Sequence, residues 1–523
     1  MRNVDDVDAV VVGAGHNGLV AANLLADAGW TVRVLEATPQ PGGAVRSGHV
    51  TAPGYLSDLF SAFYPLGYAS PVLERLDLDI RWTHAPDVFT HLLPDGRAAT
   101  VSRDVDRTAA SMEQFAPGDG DRWRNAYTDW QSVSGEMLKT LFTPFPPVRN
   151  SVGLIRQLKL GGALRLARRL VLSVRELGSE LFAGEGAALA LAGCALHTDL
   201  SPEEAGGGVY GWLLAMLGQE MGWPAPVGGA QELTSALVRR FPGEIVYDAP
   251  VTRVLVARGR AMGVRTADGR DWRARRAVIA DVPAPALYLD LVGERWLPPR
   301  LTEDMAHFRW DGATVKVDWA VRSKVPWTNP AAAGAGTVHL GADLNGLTRY
   351  AAHLASDEIP PNPFLLLGQM TTTDATRSPD GTESMWAYTH LPHRASWSAD
   401  EIAEHVERME AVVEEHAPGF RGEVVGRNVF APGDMERENP SLVGGALGGG
   451  TAAAFQQLFL RPVPGLGRAD TPVDRLFLGS SSAHPGGGVH GAPGANAARA
   501  ALARDGNPLY PAVIGAAHRV IYR

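Results

Sequence analysis

Cysteine is nearly absent: Cys194 is the single one in 523 residues. Without a second thiol there is no disulfide framework, no CxxC redox pair and no zinc or iron–sulfur ligand set, so no metal is expected. Cys194 sits in the apolar run "ALALAGCALH" and reads as a small buried hydrophobe. Charge is also sparse, at 20% of residues with a net of −9, which argues against nucleic acid as a partner. No uninterrupted apolar run reaches the roughly 18 residues of a membrane span. The opening "MRNVDDVDAV" has neither a signal-peptide apolar core nor an arginine-rich transit pattern. A cytoplasmic location is the expectation. At 45% apolar residues, the length suffices for two or more domains and a large core.

Glycine is abundant and concentrated in two loops near opposite ends of the chain. The first, "VVVGAGHNGLVAANLLADAGWTVRVLEA", reads strand, tight turn, helix, strand. Gly13, Gly15 and Gly18 let the backbone approach a pyrophosphate, and Asn17 and Gly18 open a helix whose amides and positive dipole end face it. Glu36 ends the second strand, near the ~20-residue offset at which an acid meets a ribose 2′-hydroxyl. That acid disfavours a 2′-phosphate and hence NADP. The fingerprint alone suits NAD and FAD equally.

The second loop separates them. "DRLFLG" reads as a strand ending at Gly479, "AHPGGGVHGAPG" as a side-chain-poor loop containing Gly488 and Val489, and "ANAARAALA" as a helix beginning near Gly494. A reduced flavin gathers negative charge around N1 and the C2 carbonyl, and a helix N-terminus with free amides stabilises it. A nicotinamide enzyme has no use for this loop. The expected cofactor is therefore FAD, in an α/β fold with a Rossmann-like FAD-binding domain and a mixed α+β substrate domain.

The motifs "GAGHNGL", "PGGAVRS", "GWPAPVGGAQELTSAL", "RPVPG" and "HPGGGVHGAPG" also resemble those of the phytoene desaturase, carotenoid isomerase and retinol saturase group of flavoproteins. Within it the chain is most similar to the branch named after pyridine nucleotide-disulfide oxidoreductase domain-containing protein 2, although one cysteine cannot support disulfide chemistry. The resemblance covers most of the chain and implies a two-domain flavoprotein, FAD and a hydrophobic, isoprenoid or polyene substrate. It also implies cofactor contacts for the paired Gly42 and Gly43, and for the backbone of Val251. Two positions depart from the pattern. Arg46 stands further from the paired glycines than the arginine of related enzymes, and Ser480 replaces the acid that many FAD proteins carry after the late strand.

The nucleotide domain must be discontinuous, because its two loops lie at opposite ends. Residues 1–75, 225–300 and 440–523 are assigned to it, with a helix over "GGAQELTSALVRRF" and strands from Glu244 to Ala280 that turn at Asp268 and Gly269. Residues 76–224, read as mainly helical, and 301–439 form the substrate domain. Neither "AAAGAGTVHLG" nor "GGALGGGTAAAF" completes a second dinucleotide fingerprint, so the electron acceptor or donor is external. Within 149–175, Leu, Ile and Val alternate with Arg and Lys at helical spacing and no acid intervenes before Glu176. Two readings stand: a basic amphipathic helix on an anionic membrane surface, or a solvated helix capping the substrate domain. Gly161 and Gly162 are expected to break it in two.

For catalysis, His484 and His490 flank the loop expected beside the isoalloxazine. Each is a candidate base, a stabiliser of reduced flavin, or a donor to a loop carbonyl. Asp58, Tyr55 and Tyr64 in "GYLSDLFSAFYPL" are further candidates for the active-site wall. The expected activity is FAD-dependent desaturation, saturation or isomerisation of a carbon–carbon bond by hydride transfer at flavin N5. An amine oxidase and a lipid carrier of the Rab escort type are the rivals.

Overall fold

The computed structural model describes residues 6–523. The N-terminal residues 1–5 and the side chains at 148, 149, 151 and 154, including the Arg149 that opens the basic segment, lie outside the described residues.

The triple valine lies in β1 (Val7–Val12), the middle of a parallel sheet. It pairs with β2 (Val32–Leu35) on one side and with the strand Asp271–Ala280 on the other. Beyond these lie Glu244–Val246 and Leu476–Leu478, again parallel. A strand covered on both faces reads as an unbroken apolar run. Its alternate side chains divide between two cores: Ala9 and Val11 pack with Leu19, Leu25 and Ala498, whereas Val10 and Val12 pack with Val254, Trp272 and Tyr288. The first core holds α1 (His16–Asp27) against the helices Gln231–Arg240 and Ala492–Gly506. The second lies beneath the antiparallel strands Val251–Ala257 and Arg260–Thr266, which continue the sheet from Asp271–Ala280 through the turn at Gly269, φ +85°.

A second seven-stranded sheet runs in the order Val424–Phe430, Ala313–Val321, Glu383–Leu391, Leu365–Gln369, Ala335–Leu340, Asp87–Leu92, Ala98–Val101. Its strands pair antiparallel except Ala335–Leu340 with Asp87–Leu92. Helix Ala399–His416 seals one face through Ile402, Val406 and Met409. Helices Asp119–Leu141, Glu185–Ala195 and Gly207–Met221 cover the other through Trp130, Leu191 and Trp212.

Residues 76–224 are mainly helical and also supply the strands Asp87–Leu92 and Ala98–Val101 to the second sheet. Asp87–Leu92 is buried on both faces, so its side chains, His91 and Thr90 included, show no alternation of apolar and polar. The basic helix Val148–Arg169 does break, but at Lys159, with φ 57° and ψ 172°, rather than at Gly161 and Gly162. A Cβ on Gly162 would stand 3.1 Å from the Leu158 Cβ, so this glycine serves close approach across the break.

A buried ion cluster joins three distant segments. The Arg377 guanidinium contacts Asp58 and Asp374, each at 2.9 Å. Asp58 also accepts the Ala230 amide at 2.8 Å, and Asp374 the Gly228 amide at 2.8 Å. These carboxylates fix the turn that leads into helix Gln231–Arg240.

Candidate active site

The first glycine loop forms a cradle without side chains. Gly13 has φ +97°, and a Cβ on Gly18 would lie 2.1 Å from the Gly13 carbonyl oxygen. Gly15 caps α1 without a side-chain acceptor, leaving amides of the first turn to be satisfied otherwise. The His16 Nε2 and Asn17 Oδ1 atoms are buried beside it without a hydrogen-bond partner. Burial pushes the His16 imidazole down to about 4. At the end of β2, Glu36 Oε2 accepts the Ala14 amide at 2.7 Å, and Oε1 accepts the Thr38 amide at 2.9 Å. Arg46 is buried; it donates to the Gly43 carbonyl at 3.1 Å and the Glu438 carbonyl at 3.0 Å.

Sequence reasoning missed the residue closing this cradle. Asp281, which directly follows the strand Asp271–Ala280, accepts the Gly18 amide on Oδ2 at 2.8 Å. Burial raises its carboxyl to about 7; the Gly18 hydrogen bond opposes that rise and the Glu36 charge adds to it. The available signal was its position, an acid just past a parallel strand at the nucleotide end of the sheet.

The late glycine loop folds against the first. A Cβ on Gly494 would stand 2.0 Å from the Asn17 carbonyl oxygen, so helix Ala492–Gly506 approaches the start of α1 backbone to backbone. His490 is buried beside His16 of the first loop and His484 against Thr143 and Phe145, and burial holds them down to about 3 and about 4. The His484 Nε2 faces the Thr143 carbonyl at 3.3 Å. A carbonyl only accepts, so Nε2 carries the proton and Nδ1 keeps the lone pair. The Ala492 amide donates to His490 Nδ1 at 3.2 Å, so in the neutral ring Nε2 carries the proton.

One cavity of about 1260 Å³ runs from this cradle into the space between the second sheet and its helices. Of the expected cofactor residues, Gly13, Gly15, Asn17, Glu36, Gly43, Arg46, Val251, Gly488 and Val489 line it, as do Ser480, His484 and His490. Gly18, Gly42 and Gly479 stand behind the wall. A Cβ on Gly479 would touch Ala497 and Ile279 at 3.2 Å, and one on Gly42 would meet the Val45 carbonyl at 2.7 Å, so they serve packing and turning. Tyr64 also lines the cavity, but Asp58 and Tyr55 do not. Asp58 is consumed by the Arg377 cluster, and the Tyr55 hydroxyl turns to the Val321 carbonyl.

The far chamber is walled by Leu213, Leu214, Trp223 and Cys194, together with Trp386, Tyr388 and His390, alternate residues on one face of a strand. Burial raises the Cys194 thiol well above its ordinary value, keeping it protonated. His197, on the wall, shares a hydrogen bond with His339, Nε2 to Nε2 at 3.1 Å, and burial brings it to about 3. Beside the late loop, Asp311 accepts the amides of Leu447 at 2.7 Å, Gly448 at 2.7 Å and Gly450 at 3.1 Å. From the opposite side buried Arg461 donates to the carbonyls of Gly448 at 3.0 Å, Thr451 at 2.9 Å and Ser481 at 2.7 Å. Arg461 belongs to the "RPVPG" motif, to which sequence reading had given no role.

The cradle fits the expected FAD: its floor would admit no Cβ, unpartnered polar atoms border it, and the cavity continues past it. Among the described residues no helix is long and apolar enough to cross a membrane.

Comparison with known proteins agrees. The model of a family described as flavin containing amine oxidoreductase matches residues 18–502. Pyridine nucleotide-disulfide oxidoreductase domain-containing protein 2 of Rattus norvegicus is 27% identical over 550 residues, covering 94% of this chain and 93% of that protein. A neurosporene-forming phytoene desaturase of Rhodobacter capsulatus is 24% identical over 508 residues, covering 92% and 91%. The crystal structure of an oxidoreductase from Methanosarcina mazei shares the fold, with a TM-score of 0.61 at 16% identity over 95% of this chain and 99% of that one.

Proposed function

The chain belongs to the flavin containing amine oxidoreductase family, and from that premise we propose that this FAD-dependent oxidoreductase desaturates, saturates or isomerises a carbon–carbon bond of a hydrophobic, isoprenoid or polyene substrate. The observation that carries this reading is the single cavity of about 1260 Å³ joining the dinucleotide cradle to an apolar chamber. Pockets for a single small ligand are roughly 300–1,000 Å³, so this cavity exceeds that range and suits a cofactor together with a long apolar substrate. When bound, FAD supplies a two-electron centre that accepts a hydride at N5 or returns it.

The chain's own groups then have to position the substrate and handle one proton. We assign residues 1–75, 225–300 and 440–523 to cofactor binding and the rest to the substrate. Gly13, Gly15, Asn17, Glu36, Gly43, Arg46, Val251, Gly488 and Val489 are the proposed cofactor contacts. His484 and His490 take different roles, because the Nδ1 of the first offers a lone pair and the Nε2 of the second a proton. His484 is the proposed base, and His490 the neutral donor toward developing negative charge. Replacing His484 by Gln is expected to slow flavin reduction and leave FAD content intact.

The mouth suggests how an apolar substrate arrives. Leu170, Val171 and Leu458 line the cavity and are also exposed, beside exposed Ile155, Leu160, Leu164, Phe455 and Phe459. Four cations of this region are paired: Lys139 with Glu136, Arg168 with Glu180, Arg169 with Asp129 and Arg175 with Glu203. Arg156, Lys159 and Arg165 have no acidic partner among the described residues. An apolar collar with free cations suits an anionic lipid surface, where the protein acts peripherally and draws substrate from the bilayer. Cosedimentation with phosphatidylserine vesicles, lost in a Leu160→Asp/Leu164→Asp variant, tests this; equal pelleting of both proteins refutes it.

The amine oxidase rival draws support from Asp199 and Asp311 in the cavity wall, carboxylates that would attract a cationic amine. The deciding experiment is anaerobic mixing of the holoenzyme with polyenes in detergent and, separately, with primary amines, following the flavin absorbance. Bleaching by a polyene, or reoxidation of dithionite-reduced protein by one, supports the proposal. Bleaching by amines alone establishes the rival, and no response in either direction favours the carrier.

A further inference from the structure

The diphosphate cradle contains a carboxyl group where an anion is expected. Amides at the start of a helix are a ready-made diphosphate site, yet the Gly18 amide of α1 is already taken by Asp281 Oδ2 at 2.8 Å. The same oxygen stands 2.7 Å from where a Cβ on Gly15 would be, so the Asp281 carboxyl fills the floor of the cradle. Asp281 also lines the cavity. An ionised carboxylate there would oppose a doubly charged diphosphate at close range, whereas a carboxylic acid keeps the Gly18 bond through its carbonyl oxygen and still has a proton to donate.

We propose that Asp281 is a cofactor-positioning residue that holds the diphosphate segment of FAD as a neutral carboxylic acid, so that retention of the cofactor is coupled to the uptake of one proton. This rests on the FAD reading of the site. The balance is simple: the free protein with Asp281 ionised takes up FAD and one proton from solvent, and the complex contains the acid.

The surrounding groups leave Asp281 as the titrating one. Burial has already brought its carboxyl to about 7. From β2, the Glu36 carboxylate faces it and favours its proton. From α1 and the late loop, His16 and His490 are held neutral, at about 4 and about 3. Arg46, from the loop after β2, stays a cation throughout the range. Tyr247 stays protonated, burial raising it further above its ordinary value. The other carboxylates of the wall are Asp290, Glu438, which pairs with Arg46 at 3.5 Å, and Asp199 and Asp311 of the far chamber.

The test is FAD retention by the full-length holoenzyme. Equilibrium dilution from pH 6 to 9 is followed by the fluorescence of released flavin. Displacement by ADP-ribose, whose diphosphate does not titrate in this range, and by adenosine, which has none, is measured in parallel. For the wild type, the dissociation constants of FAD and ADP-ribose should rise about tenfold per pH unit above about 7, the slope of one proton. Adenosine should show no such slope. Asp281→Asn, which keeps an acceptor for the Gly18 amide, should bind FAD with a flat profile.

A flat wild-type profile overturns the proposal, as does an Asp281→Asn slope equal to that of the wild type. Uniform weakening in Asp281→Asn with the slope preserved would reduce Asp281 to a packing role. The wild-type contrast between ADP-ribose and adenosine decides the matter even if the variant does not fold. Failure of FAD and ADP-ribose to bind at any pH would instead remove the FAD reading, and this inference with it.

Discussion

Replacing Arg377 by Met should destabilise the protein far more than the loss of two hydrogen bonds. The side chains of Arg377 and Asp58 are fully buried and that of Asp374 is 3% exposed. Methionine fills similar volume but leaves two carboxylates without their cation. Breaking a buried pair by removing one partner costs about 3–5 kcal/mol, most of it the penalty of the stranded charge. At about 1 °C per kcal/mol for a chain of 523 residues, the thermal midpoint should fall by roughly 3–5 °C. The mechanism predicts its own rescue. Asp58→Asn and Asp374→Asn added to Arg377→Met remove the stranded charges while keeping acceptors for Ala230 and Gly228, and should recover most of the loss. Scanning fluorimetry at one scan rate, on wild type, single and triple variants, makes the comparison. A single variant within about 1 kcal/mol of wild type would refute the reasoning, and so would a triple variant no better than the single.

Other outcomes follow from the site. His16, His484 and His490 sit at about 4, about 4 and about 3, below the ordinary 6.5, so the unfolded chain binds more protons and stability falls as pH drops below 6.5. The loss approaches about 1.4 kcal/mol per pH unit for each histidine; a thermal midpoint unchanged from pH 7.5 to 5 would contradict it. Gly494→Ala places a Cβ 2.0 Å from a backbone oxygen and should abolish FAD incorporation, whereas Gly479→Ala, with its nearest contact at 3.2 Å, should keep much of it. Flavin-to-protein absorbance ratios give the order, and the reverse order would be fatal to the packing argument. Glu36→Ala removes an acceptor of two backbone amides and should weaken FAD retention by about 1.5–3 kcal/mol, the range for bonds to a charged group. Equal retention by dialysis would exclude that role.

What could be read in advance was what depends on local pattern. The valine run, the three glycines, Glu36 and the late "GGGVHG" loop each announce a backbone conformation or a strand end, and their neighbours in sequence are enough to interpret them. The strands from Glu244 to Ala280 were legible for the same reason, through Asp268 and Gly269 at their turn. Asp87–Leu92 was not, because a strand buried on both faces by distant helices has no alternation of its own. Asp58 misled for a related reason: a carboxylate just after the paired glycines suits a site wall, and only the arrival of Arg377, over three hundred residues later, shows where its charge is spent. Asp281, Arg461 and the His197–His339 pair acquire meaning only from partners that the fold brings to them.

The glycine loop between Asp311 and Arg461 has an energetic consequence. The anion holds the loop by the amides of 447, 448 and 450, and the cation holds it by the carbonyls of 448 and 451, so a short glycine-rich backbone is gripped by a buried charge of each sign. The two side chains are thus coupled without a direct hydrogen bond, through the Coulomb attraction between them and through the loop that both hold. Such an arrangement is a relay, and a double-mutant cycle across it should return a coupling energy for two residues that share no direct bond. This part of the cavity wall is therefore rigid for reasons of charge, although it carries almost no side chains.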